Sequence, residues 1–379
     1  MEKLRFKDKN KEQFPSTKTG TLEDIATSCS SSISQDSIIN DEGPYSIYGA
    51  NGEIKKISTY EKANGYIAIV KDGAGVGRVI IGAPCSSIIG TMNYIENRKN
   101  CDLKFLLYAI KRIDFGKHTV GSGIPHIYFK DYKKEVINIP SLSEQEKIGG
   151  FLSSFDILIQ KQHEKMTLLK ELKKGYLQKV FPKNGENTPL VRFKGFNDAW
   201  EQYKLGELGR VVMNRRIFKD QTLDTGDVPF FKIGTFGDKP DAFISRELFE
   251  EYKSKYPYPN VGDILISASG SIGRTVEYIG KDEYFQDSNI VWLKHGSRVL
   301  NMFLKHFYSI VKWTGLEGST IQRLYNKNIL ETKIQLPNTL EQEKIGTFLD
   351  SVNNLITLHQ RKLESLEDLK QGYMQRLFT

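Results

Sequence analysis

One stretch of this chain is written twice, and the repetition restricts the fold more than any other feature. Residues 139–182 read IPSLSEQEKIGGFLSSFDILIQKQHEKMTLLKELKKGYLQKVFP, and residues 336–379 read LPNTLEQEKIGTFLDSVNNLITLHQRKLESLEDLKQGYMQRLFT. The copies match at a constant offset of 197, from Pro140/Pro337 through EQEKIG at 144–149/341–346 to Gly175-Tyr176/Gly372-Tyr373. Apolar residues recur every three or four positions in both. The first copy has Ile148, Phe151, Phe155, Ile159, Met166, Leu169, Leu172, Tyr176 and Val180; the second has Ile345, Phe348, Val352, Ile356, Leu363, Leu366, Leu369, Tyr373 and Leu377. This spacing predicts two long helices, each with one apolar stripe and a Lys/Glu-rich opposite face. Start signals precede both: Ser143 with Glu146, and Thr339 with Gln342, each fit a capping box.

A helix over 144–181 extends about 57 Å at ~1.5 Å per residue, too long for one small domain to enclose. The economical solution buries the two stripes against each other, antiparallel, in the manner of a coiled coil. Packing each helix only on its own domain would leave the shared length and register unexplained. The residues expected to make the helix pair or dock partners are Glu144, Gln145, Glu146, Phe151, Leu169, Tyr176, Glu341, Gln342, Glu343, Phe348, Leu366 and Tyr373.

The duplication extends outside the helices. Leu4-Arg5-Phe6-Lys7 is echoed by Val191-Arg192-Phe193-Lys194, and Gly121-Ser122-Gly123-Ile124 by Gly318-Ser319-Thr320-Ile321. Short β-type runs alternate with turns in both halves: Tyr66–Val70 with Arg78–Ile81, and Asp263–Ile266 with Thr275–Tyr278. Helical stretches at Leu103–Arg112 and Leu300–Trp313 complete two mixed α/β domains, each a twisted sheet plus helices. The expected organisation is α+β with an internal pseudo-twofold repeat: a first domain over 1–142, a long helix over 143–182, a second domain over 183–338 and a second long helix over 339–379. PKNGENTP at 182–189 suits a linker.

With 379 residues, 39% hydrophobic and 26% charged, the chain is long enough for two or three domains. No apolar run reaches the ~18 residues of a membrane span and no signal peptide opens the chain, so the expected location is the cytoplasm. Cys29, Cys85 and Cys101 have no metal spacing and read as buried free thiols. A net charge of +8 favours a polyanionic partner.

Gly73-Ala74-Gly75-Val76-Gly77 superficially resembles a phosphate loop. Such a loop needs a helix directly after it, whereas Arg78-Val79-Ile80-Ile81 continues as strand, so a tight β-turn is expected. Arg78 and Arg274 follow that turn at matching positions, where a guanidinium fork suits phosphates or guanine edges. The glycine-rich loops carry donors and cations: Ser122, His126 and Lys130 in one, Ser319, Gln322, Arg323 and Lys327 in the other. Groups present in only one half are Tyr45, Tyr48 and Asn51 in the first, and Asn214, Arg215, Arg216, Lys219 and Lys232 in the second. No amino-methyltransferase motif, Walker lysine loop, His/Cys metal cluster or nucleophile elbow occurs, which points to a reader of some ligand instead of an enzyme.

Two variable domains, each followed by a helix opening P-x3-EQEKIG-x-FL at Pro140/Glu144–Leu152 and Pro337/Glu341–Leu349, resemble the specificity subunit of type I restriction-modification systems. The resemblance implies two target recognition domains reading the unlike halves of a bipartite double-stranded DNA target, spaced by an antiparallel coiled coil. It also implies two methyltransferase subunits docked on the helices and restriction subunits joining for cleavage. S-adenosylmethionine, ATP and Mg²⁺ would belong to those partners, with no cofactor bound directly here. The rival reading is an adaptor, a coiled-coil scaffold whose basic lobes bind acidic proteins.

Overall fold

A computed structural model describes residues 4–7, 12, 14–183, 185–314 and 322–378. The chain divides into two compact units, one of residues 1–164 with 360–379 and one of residues 165–359. Both are built on the same plan. In the first, a four-stranded antiparallel sheet runs in the order Ala26–Ser30, Met92–Asn97, Tyr66–Val70, Val79–Gly82. In the second, the order is Gly209–Val212, Ile290–His295, Ile264–Ser267, Thr275–Glu277. Each unit adds a three-stranded sheet and a two-stranded ribbon. The ribbons, Lys18–Thr21 with Val136–Ile139 and Glu201–Lys204 with Lys333–Leu336, lead into the two long helices.

The central strands are apolar on both faces because both are covered. Side chains alternate across a strand, so Ile67 and Ile69 join one core with Phe105, Leu106 and Ile148, while Tyr66, Ala68 and Val70 join another with Ile47 and Ile88. The second unit repeats the division, with Ile264 and Ile266 on one side and Leu265 on the other. The helices read at Leu103–Arg112 and Leu300–Trp313 are shorter than expected, Leu103–Ile110 and Asn301–Tyr308.

The long helices span Leu142–Val180 and Thr339–Leu377. Their start differs from the capping boxes expected at Ser143 and Thr339. The helices begin after Ser141 and Asn338, which are equivalent under the offset of 197; the Asn338 side chain accepts from the Glu341 N–H at 2.9 Å. Cap preference for Asn explains the second start; at the first, the Glu144 and Gln145 N–H groups reach the Ser141 backbone carbonyl and its hydroxyl makes no cap bond. These starts also place Glu144 and Glu341 at the third helical position, where they face inward.

The EQEKIG motif is a clasp between helix and sheet domain. Glu144 is 1% exposed and takes Arg5 in a two-point ion pair at 3.1 and 2.5 Å; Glu341 is 0% exposed and takes Arg192 at 2.7 and 2.8 Å. In both pairs the hydrogen bond to the glutamate raises the arginine pKa. Gln145 accepts from the Asp102 N–H and donates to the Asn100 and Pro140 carbonyls, as Gln342 does with Leu300, Arg298 and Pro337. Glu144, Gln145, Glu341 and Gln342 are therefore spent inside their own units, which corrects their expected role in partner docking; Glu146 and Glu343 stay exposed. A Cβ on Gly149 would lie 2.8 Å from the Lys104 Cβ, and one on Gly346 2.7 Å from the Met302 Cγ, so both positions require glycine for close approach.

Within the first unit, Phe151 and Phe155 pack on Tyr373 at 5.0 and 5.7 Å. Within the second, Tyr176 packs on Phe348 at 4.9 Å. Leu169 and Leu366 are half-buried, whereas Leu172 and Leu369, expected in the stripes, are 45% and 49% exposed. Leu152 and Leu349, both 0% exposed, take the inward places instead.

Each unit also buries one polar node beside its long helices. In the first, the Tyr108 hydroxyl donates to Asp156 at 2.6 Å and Lys370 pairs with the same carboxylate. Burial works to raise the Asp156 carboxyl, but the bonds from Lys370 and Tyr108 outweigh it and hold it below its ordinary value. In the second, His306 Nε2 lies 2.9 Å from Asp350, which also pairs with Lys305 at 2.8 Å. Burial pushes the His306 imidazole below its usual value against the pull of Asp350.

The thiols are free, but Cys29 is exposed and Cys85 half-buried, so only Cys101 matches the expectation of burial. Among the described residues no helix is long and apolar enough to cross a membrane, and no group of His, Cys, Asp and Glu is arranged to hold a metal ion.

Candidate nucleic-acid interface

In the first unit three loops meet at one end of the large sheet. The glycine run is a turn between strands, with Gly73 and Gly77 at φ 91° and 83°, and a Cβ on Gly77 would collide with Phe115 at 2.7 Å. The Gly73 N–H donates to the Pro125 carbonyl and His126 bridges Val120, which pins the Gly121-Ser122 loop against the turn. On its other flank Arg78 donates to the Ala50 carbonyl at 2.7 Å and to Asn51 Oδ1 at 2.5 Å. Arg78 and Asn51 thus meet on one flank of the turn and His126 joins its other flank through Asp72, as the sequence could not show, while Ser122 is exposed on the loop. Arg78 is a loop brace as well as a surface cation, and His126 Nδ1 lies 2.7 Å from Asp72.

Tyr45 and Tyr48 lie on the strand Tyr45–Gly49 of the smaller sheet, which leads into the turn that holds Asn51. Tyr45 packs edge-on to Tyr60 at 4.7 Å, and Tyr48 leans on that sheet's core. Lys130 lies 5.3 Å over the exposed ring of Tyr128.

The equivalent end of the second unit is furnished differently. Arg274 donates to the Gly237 carbonyl at 3.1 Å. Arg323 bridges Ser269 and donates to Asn289 Oδ1 at 3.1 Å, beside Ser288 at φ 53°. Gln322 and Lys327 are exposed next to it, while Ser319 lies outside the described residues. Lys232, expected to be a contact group, is paired with Asp241 at 2.9 Å. Asn214 is also corrected: it is 2% exposed and donates to the Pro257 carbonyl, anchoring its segment instead of facing a ligand.

The residues that follow Asn214 include exposed cations. Arg215 lies 5.2 Å over the ring of Tyr256, Arg216 lies 5.5 Å over the ring of Phe218, and Lys219 is exposed beside them. Among the described residues no carboxylate lies within ion-pair distance of Arg215 or Arg216. Tyr256 and Phe218 were not picked out from sequence. Phe218 sits two residues from Arg216 and was detectable as a cation–aromatic neighbour; Tyr256, at the far end of the helix Arg246–Lys255, carried no such signal.

Unpaired arginines on aromatic rings make a surface suited to a polyanion. The family model for the type I restriction modification DNA specificity domain matches this chain twice, over residues 16–174 and 197–368. The chain belongs to that family.

Among its relatives, a Haemophilus influenzae protein named as the type I restriction enzyme specificity subunit S.HindORF215P is 38% identical over 316 residues, covering 82% of this chain and 80% of the relative. The type I restriction enzyme MjaVIII specificity subunit of Methanocaldococcus jannaschii is 26% identical over 332 residues, 83% of this chain and 78% of the relative. Among solved structures, the S subunit of a type I restriction-modification system from M. genitalium superposes with a TM-score of 0.68 at 17% identity, covering 100% of this chain and 99% of that one. That likeness concerns the fold.

Proposed function

We propose that this chain is the DNA-reading subunit of a type I restriction-modification complex, in which each unit reads one half of a bipartite duplex target. The supporting observation is one frame built twice with differently furnished loops: Arg78 and Arg274 recur at the matching turn, but Arg78 is braced by Asn51 and Arg274 by the Gly237 carbonyl, and Arg215 and Arg216 stand where the first unit has Ser32 and Ile33. Equal frames place the two readers alike, and unlike loops read unlike sequences. Side chains on base edges supply discrimination, while exposed lysines and arginines on phosphates supply salt-dependent affinity.

In this reading the two long helices form an antiparallel coiled coil that spaces the readers. Two contacts favour it: the start of one helix packs on the end of the other through Phe151 and Tyr373, and the reverse holds for Tyr176 and Phe348. A helix of 39 residues is about 58 Å long at ~1.5 Å per residue, enough to separate readers by a DNA turn of about 34 Å. Exposed Leu158, Leu172, Leu355 and Leu369 on these helices suit the docking of two methyltransferase subunits, with restriction subunits joining for cleavage. S-adenosylmethionine, ATP and Mg²⁺ belong to those partners in this scheme, and methyl transfer is theirs.

Exchanging residues 1–142 for those of a relative and mapping methylated adenines in the host tests the reading. One half of the motif is expected to change; an unchanged motif overturns the assignment of units to half-sites. Inserting one helical turn between Leu169 and Gly175 is expected to lengthen the unread gap, and a constant gap overturns the spacer role.

A further inference from the structure

We infer that Arg215 is a base-reading residue of the second unit, directed at a guanine, and that Tyr256 is its positioning residue. The inference rests on the DNA-reading role proposed above and gives it a specific atom-level reader.

Reading a base and holding a phosphate make different demands. A phosphate contact tolerates slack, because charge attraction acts over several ångströms. A guanine offers O6 and N7 side by side in the major groove, and the guanidinium must present two N–H groups at a fixed angle. Discrimination therefore needs an arginine whose stem and backbone are both immobilised before DNA arrives.

Arg215 meets that demand at both ends. Its backbone carbonyl accepts from the Tyr284 hydroxyl at 3.0 Å, and Tyr284 is 1% exposed. On either side of it in the chain, Asn214 is buried against the Pro257 carbonyl and Ile217 is 8% exposed. Its guanidinium lies over Tyr256, and that ring is itself held edge-on to Tyr252 at 5.3 Å. The Tyr256 N–H closes the helix on the Tyr252 carbonyl at 2.9 Å, and the Tyr252 hydroxyl accepts from Gln221 at 3.3 Å. Among the described residues no carboxylate has taken the charge, so the guanidinium is seated on a ring and unspent.

Its neighbours lack one or other condition. Lys232 is paired with Asp241, Arg274 is bound to the Gly237 carbonyl and Arg323 to Asn289. Arg216 rests on Phe218, whose ring is 52% exposed and has less to hold it. Lys219 is a flexible point charge, the chemistry of a phosphate contact.

The test uses the full chain assembled with its methyltransferase subunits and a duplex library randomised across the target, with methylation as readout. Arg215→Lys keeps the charge and loses the fork. It is expected to relax discrimination at one guanine position of a single half-site by about tenfold to a hundredfold, leaving the other half-site and the salt dependence of binding unchanged. Tyr256→Leu is expected to relax the same position by less.

Uniform weakening across all sequences, an unaltered motif, or a wild-type half-site without a G·C pair overturns the assignment of Arg215. If the wild-type complex methylates a bipartite motif and Arg215→Lys leaves it intact, this inference alone falls. If the wild-type complex shows no salt-dependent duplex binding, the broader reading falls with it.

Discussion

The strand Ala26–Ser30 of the first unit and the strand Gly209–Val212 of the second leave their sheets at the same place and deliver different chemistry. Cys29 pairs with Tyr94 and Val212 with Trp292, on the equivalent strands Met92–Asn97 and Ile290–His295. Two residues further on, Ser31 and Asn214 are both buried, at 6% and 2% exposure. The next two positions are Ser32 and Ile33 in one unit, Arg215 and Arg216 in the other. The frame is shared to the residue, and the divergence begins where the backbone leaves it. The backbone stays tied at these positions, through the Ile33 carbonyl to the Gly90 N–H in one unit and the Arg215 carbonyl to the Tyr284 hydroxyl in the other, while the side chains it carries differ.

The largest expected effect tests whether the frame is shared. Glu341→Ala strands Arg192 beside a buried apolar surface and is expected to cost the second unit about 3–5 kcal/mol. Glu144→Ala is expected to do the same to the first, read by hydrogen exchange in each unit. A small loss in one and a large loss in the other would mean that the clasps are not equivalent. Adding a Cβ at the close approaches comes next. Gly346→Val, against Met302, is expected to destabilise by roughly 1–3 kcal/mol, visible as a lower denaturant midpoint.

Breaking the divergence itself has a smaller effect on affinity. Replacing both Arg215 and Arg216 with glutamine is expected to weaken duplex binding by about 1–3 kcal/mol, most of it from Arg215, while Ser32→Ala with Ile33→Ala leaves it nearly unchanged. Equal losses from both pairs, measured in a salt titration, would erase the distinction between the units.

The smallest expected effect concerns the polar nodes. Gln145 caps the Asp102 N–H as Gln342 caps Leu300, which sets Tyr108 equivalent to His306. His306 has a folded value below its ordinary 6.5. Below pH ~6.5 the unfolded chain binds a proton that the folded chain resists, so the second unit loses stability as pH falls from there towards the folded value. Asp156 is also held low, from an ordinary 3.8; its contribution is present above about pH 4 and lost only below it. As pH falls from 6.5 to 4, amide protection relative to the unfolded-chain exchange rate at each pH is therefore expected to drop in the second unit first, and His306→Gln to abolish that difference.

Much of the fold was legible because the repeat is in register. Helix spacing, strand runs and the Arg-Phe echo around Arg5 and Arg192 are local patterns, and local patterns survive in one dimension. The helix starts were misplaced by the competing cap signals at Ser143 and Thr339, although equivalence across the repeat favours Ser141 and Asn338. The EQEKIG glutamates looked like docking groups because charge suggests exposure. Their arginine partners lie 139 and 149 residues away, so nothing nearby in the chain disclosed that they are buried.

The candidate site was legible as a set of residue types and not as a set of available groups. Arg78, Arg215, Arg274 and Lys232 look alike in sequence. Tertiary structure gives the first to Ala50 and Asn51, the third to Gly237 and the fourth to Asp241, and leaves the second on a ring 41 residues away, uncompensated. The sequence determined that there are two copies of one frame and two long helices, since periodicity and repetition are properties of the chain itself. Only the folded arrangement decided which charges are spent and which are free, because an ion pair depends on what comes within about 4 Å and folding brings distant residues that close.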